Sequence, residues 1–119
     1  MDASFILLLV ADPARSATFY EKLLGRSPFE QTPTFAGFQL NPVTNLGLWS
    51  QKTVEPAMNG QPGASDLCFE VDDVDRVHVE WQAMGIPILA APADLDFGRT
   101  FVGLDPDGHR LRVMKLAPQ

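Results

Sequence analysis

Cysteine is nearly absent: Cys68 stands alone in 119 residues. A single thiol excludes an intramolecular disulfide and a cysteine-based zinc site, and it fits a reducing compartment. Basic residues are scarce. Nine Lys and Arg stand against fifteen Asp and Glu, a net charge of −6 at pH 7. Such a balance lacks the clustered cations that neutralise phosphates, so nucleic acid is not an expected partner. Long apolar runs are missing as well. The stretch "FILLLVA", residues 5–11, is too short to span a bilayer, has no basic flank and runs straight into Asp12-Pro13. Neither a signal peptide nor a membrane anchor is expected from it, and a soluble cytoplasmic protein is.

The residues present are organised by turns and caps. A strand over about Phe5–Val10 is continuously hydrophobic, which predicts burial on both faces. Asp12 is a good N-cap and Pro13 a good first helical residue. Ala17, Tyr20 and Leu24 make an apolar stripe, and Gly25 with Pro28 ends the helix. Short β-like runs follow at about 29–32, 34–40 and 46–50. Residues 51–65 are aperiodic and rich in breakers, which predicts a linker. Then the pattern restarts. A strand over "SDLCFEVDD" leads to Asp73 as a cap, a helix carrying Val74, Val77, Trp81 and Met84, and runs at about 87–90, 99–104 and 110–116.

The two halves are in register. Val10, Asp12, Arg15 and Tyr20 correspond to Val71, Asp73, Arg76 and Trp81 at a constant offset of 61 (73 − 12). Each half therefore reads βαβββ: repeat 1 at about 4–50, linker 51–65, repeat 2 at about 66–116, forming one domain over 1–119. Alternation assigns faces. If Leu67, Phe69 and Val71 pack under the helix, Asp66, Cys68 and Glu70 point the other way. By the same parity Leu111 and Val113 go under the helix, while Arg112 and Met114 share the face of Asp66. In the first half Leu46 and Leu48 go under the helix and Trp49 is turned away. Tyr20 and Trp81 read as core. His78 is placed at a helix edge and His109 in solvent after the Asp105-Pro106-Asp107-Gly108 turn. Neither has partners at ligand spacing, and Ser4 and Ser65 lack a nucleophile pattern.

Three stretches carry a resemblance. "VADPARSATFYEKLLG", "FEVDDVDRV" and "DPDGHRLRV" resemble the opening, second repeat and last strand of the vicinal oxygen chelate superfamily. That superfamily holds glyoxalase I, extradiol dioxygenases and the fosfomycin- and bleomycin-resistance proteins. The resemblance implies an α+β fold of two βαβββ modules, with curved antiparallel sheets enclosing a cavity and helices outside, commonly as a homodimer. Metal-dependent members place His or Glu at four inward positions. These match Phe5, Asp66 and Arg112 here, with the fourth near Leu48 or Trp49. One carboxylate beside an arginine and a phenylalanine does not make a metal site, so no metal, no cofactor and no catalytic residue is expected. An Asp66–Arg112 ion pair is expected instead, because each charge is costly to bury alone.

"FYEKLLGRSPFEQTPTFAGFQL", "LGLWS" and "DFGRTFVGLDPDGHRLRV" further resemble the phenazine antibiotic resistance type of protein. The function this implies is metal-independent sequestration of a planar aromatic small molecule. Trp49 matches the stacking tryptophan of that type. Phe35 and Phe101, each beside a glycine taken as repeat-related (Gly37 and Gly103), are its expected companions. Asp66, Cys68, Arg112 and Met114 complete the expected ligand-binding set by parity, and Arg99 joins Arg110 and Arg112 as a possible receiver of a ligand carboxylate. The alternative is an enzyme of the same fold, a glyoxalase-like lyase or isomerase or a dioxygenase.

Overall fold

The structure, a computed structural model, describes residues 3–58 and 60–118; Asn59 of the linker lies outside them. The chain divides into two compact units, Met1–Ala64 and Ser65–Gln119.

Unit 1 runs β1 (Phe5–Val10), α1 (Pro13–Leu24), β2 (Glu30–Gln31), β3 (Phe35–Gln39), β4 (Asn45–Ser50). The Asp12 carboxylate accepts from the N–H groups of Ala14 (3.1 Å) and Arg15 (3.4 Å), two of the donors a helix start leaves unpaired. Gly25 closes α1 at φ 68°, a left-handed conformation that glycine adopts without a Cβ penalty. The sheet order is β1-β4-β3-β2. Its core is Leu8, Val10, Ala36, Phe38, Leu46 and Leu48 against Ala17 and Tyr20 of α1, all at most 4% exposed. A buried side chain of this size contributes about 1.5–3 kcal/mol, so this face alone accounts for the docking of the helix.

Unit 2 repeats the plan: β5 (Asp66–Glu70), α2 (Val74–Ala83), β6 (Ile88–Leu95), β7 (Gly98–Leu104), β8 (Arg110–Leu116), in the order β5-β8-β7-β6. Asp73 caps α2 through the Arg76 N–H at 3.1 Å. The offset of 61 holds for both helix starts (13 + 61 = 74). Under α2 lie Leu67, Phe101, Leu111 and Val113, closed by Trp81.

The fold is thus α+β, two helices and two four-stranded sheets, and the βαβββ reading of each half stands. Two details differ from expectation. Each sheet is mixed rather than wholly antiparallel: β1 runs parallel to β4, and β5 to β8. The helix crossover delivers β2 with the direction of β1, and two reversals return β4 beside β1 still pointing the same way. And β1 is not buried on both faces. Phe5, Ile6 and Leu7 are each 40–43% exposed, because β1 is a sheet edge and the helix covers only its later residues.

Candidate functional site

In unit 1 the face turned away from α1 is set by register. Leu7 pairs with Gly47 and Leu9 with Trp49 on one side of β4; Phe35 pairs with Trp49 and Gly37 with Gly47 on the other. Phe5, Leu7, Leu9, Phe35 and Trp49 therefore share one face, as parity predicted for Trp49. Phe35 stands edge-on to Trp49, with centroids 6.2 Å apart. Phe5 stands edge-on to Phe29 at the same separation. The paired glycines explain how these side chains come together. A Cβ on Gly37 would lie 2.6 Å from the Phe29 ring, and one on Gly47 would meet Leu7 and Phe35. With glycine at both positions these side chains lie directly against the strand backbone. Half-exposed Trp49 and Phe35, with exposed Phe5, Leu7 and Phe29, form an apolar, aromatic surface over the glycine pair. Sequence reading missed Phe29, whereas alternation along β1 places Phe5, Leu7 and Leu9 on this face. The available signal was an aromatic just before β2, opposite a glycine of β3.

In unit 2 the face turned away from α2 carries Asp66, Cys68, Arg110, Arg112, Met114 and Thr100. Arg112 meets Asp66 as expected: Nη2 and Nε both donate to Oδ2, at 3.1 and 3.3 Å. Arg110 approaches the same oxygen at 3.7 Å. The Cys68 thiol donates to the other oxygen, Oδ1, at 3.4 Å. Partial desolvation, followed by the Asp66 contact and charge, holds the Cys68 pKa above its ordinary value although the thiol is reachable from solvent. Met114 is half-buried on the same face.

Two expected members do not belong. Phe101 is fully buried under α2, with centroids 5.2 Å from both Trp81 and His78. It pairs in register with Val113, a core residue, so its face is the helix face. Arg99 lies on that side too. Its Nε and Nη2 donate to both oxygens of Asp75 (2.8 and 2.9 Å) and its Nη1 to Asp94 (3.1 Å). The hydrogen bonds from Arg99 lower the pKa of Asp75, and the two carboxylates raise that of Arg99. The error has a definite cause. Gly37 and Gly103 are 66 apart, but the structural offset of the later strands is 65: Leu46 and Leu48 match Leu111 and Val113. A one-residue slip reverses the face of every side chain. At offset 65 Phe35 matches Thr100 and Trp49 matches Met114.

His109 also departs from expectation. It is 2% exposed. Asp105 Oδ1 accepts from the N–H groups of Asp107 (2.9 Å) and His109 (2.8 Å), and Oδ2 meets His109 Nδ1 at 2.9 Å. The turn's own carboxylate thus pulls the ring inward. Asp105, Asp107 and His109 form the one group among the described residues whose donor atoms lie close enough together to hold a metal ion. The carboxylate of Asp105 is already committed to the turn and the imidazole, so the group reads as a turn lock.

The four positions that the resemblance matches to metal ligands do not fit a metal ion here. In unit 1, Phe5, Leu48 and Trp49 offer no carboxylate or imidazole. In unit 2 a cation at Asp66 would face the Arg112 guanidinium, 3.1 Å from the one available carboxylate.

Comparison with known proteins agrees with the fold. The profile of the Glyoxalase/Bleomycin resistance protein/Dioxygenase superfamily matches residues 3–113. Phenazine antibiotic resistance protein EhpR of Enterobacter agglomerans is 30% identical over 116 residues, which cover 92% of this chain and 88% of that protein. Protein ATC0852 from Agrobacterium tumefaciens, known from its solution NMR structure, is 42% identical with a TM-score of 0.87 over 99% of both chains. A glyoxalase/bleomycin resistance protein/dioxygenase from Nocardioides, at 24% identity, covers 98% of this chain and 83% of its own with a TM-score of 0.81, a likeness of fold.

Proposed function

The chain belongs to the Glyoxalase/Bleomycin resistance protein/Dioxygenase superfamily, and from that premise we propose that it binds a planar aromatic small molecule without metal and without altering it. The observation that carries this reading is the open face of unit 1. Aromatic side chains held over a glycine pair, none stacked face to face on another, suit a flat heteroaromatic ligand. The 30% identity to a phenazine antibiotic resistance protein names the ligand class to try first, and sequestration of such a drug is the role proposed. The whole chain, 1–119, serves as one such domain.

The reading extends to a homodimer, supported by the exposed apolar residues of the β1 edge, and to a cytoplasmic location, supported by the lone thiol. Among the described residues no helix is long and apolar enough to cross a membrane.

The test is a titration of tryptophan fluorescence with phenazine. Saturable quenching is expected from Trp49, and little from Trp81, which is 7% exposed under the sheet of unit 2. Trp49→Ala should weaken binding by about 1–3 kcal/mol, the scale of lost stacking and apolar contact, or roughly ten- to a hundredfold in Kd. The drug should elute unchanged by HPLC after incubation, and the purified protein should hold no stoichiometric metal. A transformed drug, or full affinity in Trp49→Ala, would refute the reading.

A further inference from the structure

We propose that Arg112, flanked by Arg110, is a receptor for a ligand carboxylate on the open face of unit 2. The inference concerns unit 2 alone and goes beyond the aromatic surface of unit 1. It begins from an imbalance. Two guanidinium charges, Arg110 and Arg112, share one carboxylate, Asp66. That leaves a local excess of one positive charge on a chain whose net charge is −6. Glu70 lies farther along β5 and is in register with Met114 rather than with either arginine.

The pairing is also incomplete in its geometry. A carboxylate that fully satisfied Arg112 would accept with both oxygens in a fork. Here Nε and Nη2 converge on the single oxygen Oδ2, and Oδ1 is taken by the Cys68 thiol. Nη1 makes one long contact, 3.5 Å, to Thr100 Oγ1. Of the five guanidinium N–H groups, three are engaged. One on Nη1 and one on Nη2 have no partner among the described residues. With 18% of its side chain exposed, the guanidinium keeps these two N–H groups open to a ligand from the solvent side.

The group is held ready. Asp66 fixes one edge of the guanidinium. Thr100 is itself pinned, its hydroxyl donating to the Val113 carbonyl at 2.8 Å, and so presents a lone pair to Nη1. The guanidinium therefore loses little freedom on binding, which favours affinity. Nη1 and Nη2 each keep one N–H, and a pair of guanidinium N–H groups is the donor set that takes a carboxylate. Arg110, nearly half exposed, adds a second charge at the rim.

The experiment uses benzoate against its neutral counterpart benzamide, titrated into the full chain and followed at the arginine side-chain Nε–Hε signals by NMR. Benzoate should shift the Arg112 signal saturably, and benzamide should not. Arg112→Lys keeps the charge but loses the fork, and should weaken benzoate binding about tenfold; Arg112→Gln should abolish it. Equal responses to benzoate and benzamide in the wild-type protein would overturn the proposal, whatever the variants do. So would wild-type affinity in Arg112→Lys, which would mean that diffuse charge suffices. Trp49→Ala should still bind benzoate. Absence of phenazine quenching in the wild-type protein, with benzoate binding retained, would defeat the reading of unit 1 and leave this one standing.

Discussion

Phe101 is the sharpest point at which to test the assignment of faces. Its side chain is fully buried, with Trp81 and His78 each 5.2 Å away by ring centroid. Phe→Ala in a core costs about 3–5 kcal/mol, the transfer of the lost atoms plus the cavity they leave. Where in that range a site falls depends on how far its walls can collapse. Trp81 cannot move freely. A Cβ on Gly103 would come within 3.0 Å of its ring and 3.1 Å of Ile86, so the indole is seated on the strand beside the proposed void. The upper half of the range is expected, about 4 kcal/mol. A chain of this length has on the order of 6–18 kcal/mol of stability in total, so Phe101→Ala should fold but melt roughly 10–20 °C lower. Urea or thermal unfolding measures this directly, and phenazine quenching of the folded variant should match the wild type. A loss below about 1 kcal/mol together with lost quenching would place Phe101 on the ligand face and refute the register argument.

Removal of Arg99 should reach Asp75 first. The hydrogen bonds from Arg99 lower the Asp75 pKa in the folded state. The pair's stabilisation is therefore present above the unfolded carboxylate pKa, about 3.9, and is lost as pH falls through the depressed folded value. In Arg99→Gln the Asp75 carboxyl, followed by NMR, should titrate at higher pH than in the wild type, and the acid limb of the stability curve should lose this contribution. An unmoved Asp75 titration would contradict the ion pair. At Cys68 the raised pKa predicts alkylation by iodoacetamide at pH 8 slower than for an unperturbed thiol. Asp66→Asn removes the neighbouring negative charge and should speed it; a rate equal to wild type would mean that burial alone sets the reactivity.

Several features were legible because they are local. Asp12 and Asp73 followed by helical stripes, glycines at helix ends and alternation along 66–70 and 110–114 depend on neighbours within a few residues, and they fixed the βαβββ order and the facing of Asp66 toward Arg112. Other features depended on strand pairing. The parallel pairing of β1 with β4 follows from where the crossover lands, which no window of sequence contains. Phe101 and Phe35 have similar sequence settings, both two residues before a glycine, yet they are 66 apart while the later strands of the two units match at 65, and that single residue puts them on opposite kinds of face. The inward turn of His109 needed the Asp105 carboxylate folded back across the turn. Phe29 joined the aromatic surface only because β2 and β3 bring it over Gly37. The sequence by itself determined the elements, their order and the alternation within each strand, because those are set by short-range sterics and hydrophobic period. Tertiary structure alone decided which strands are partners and in which register, and with it which side chains meet, because register is a property of two strands and a shift of one residue exchanges the core for the open face.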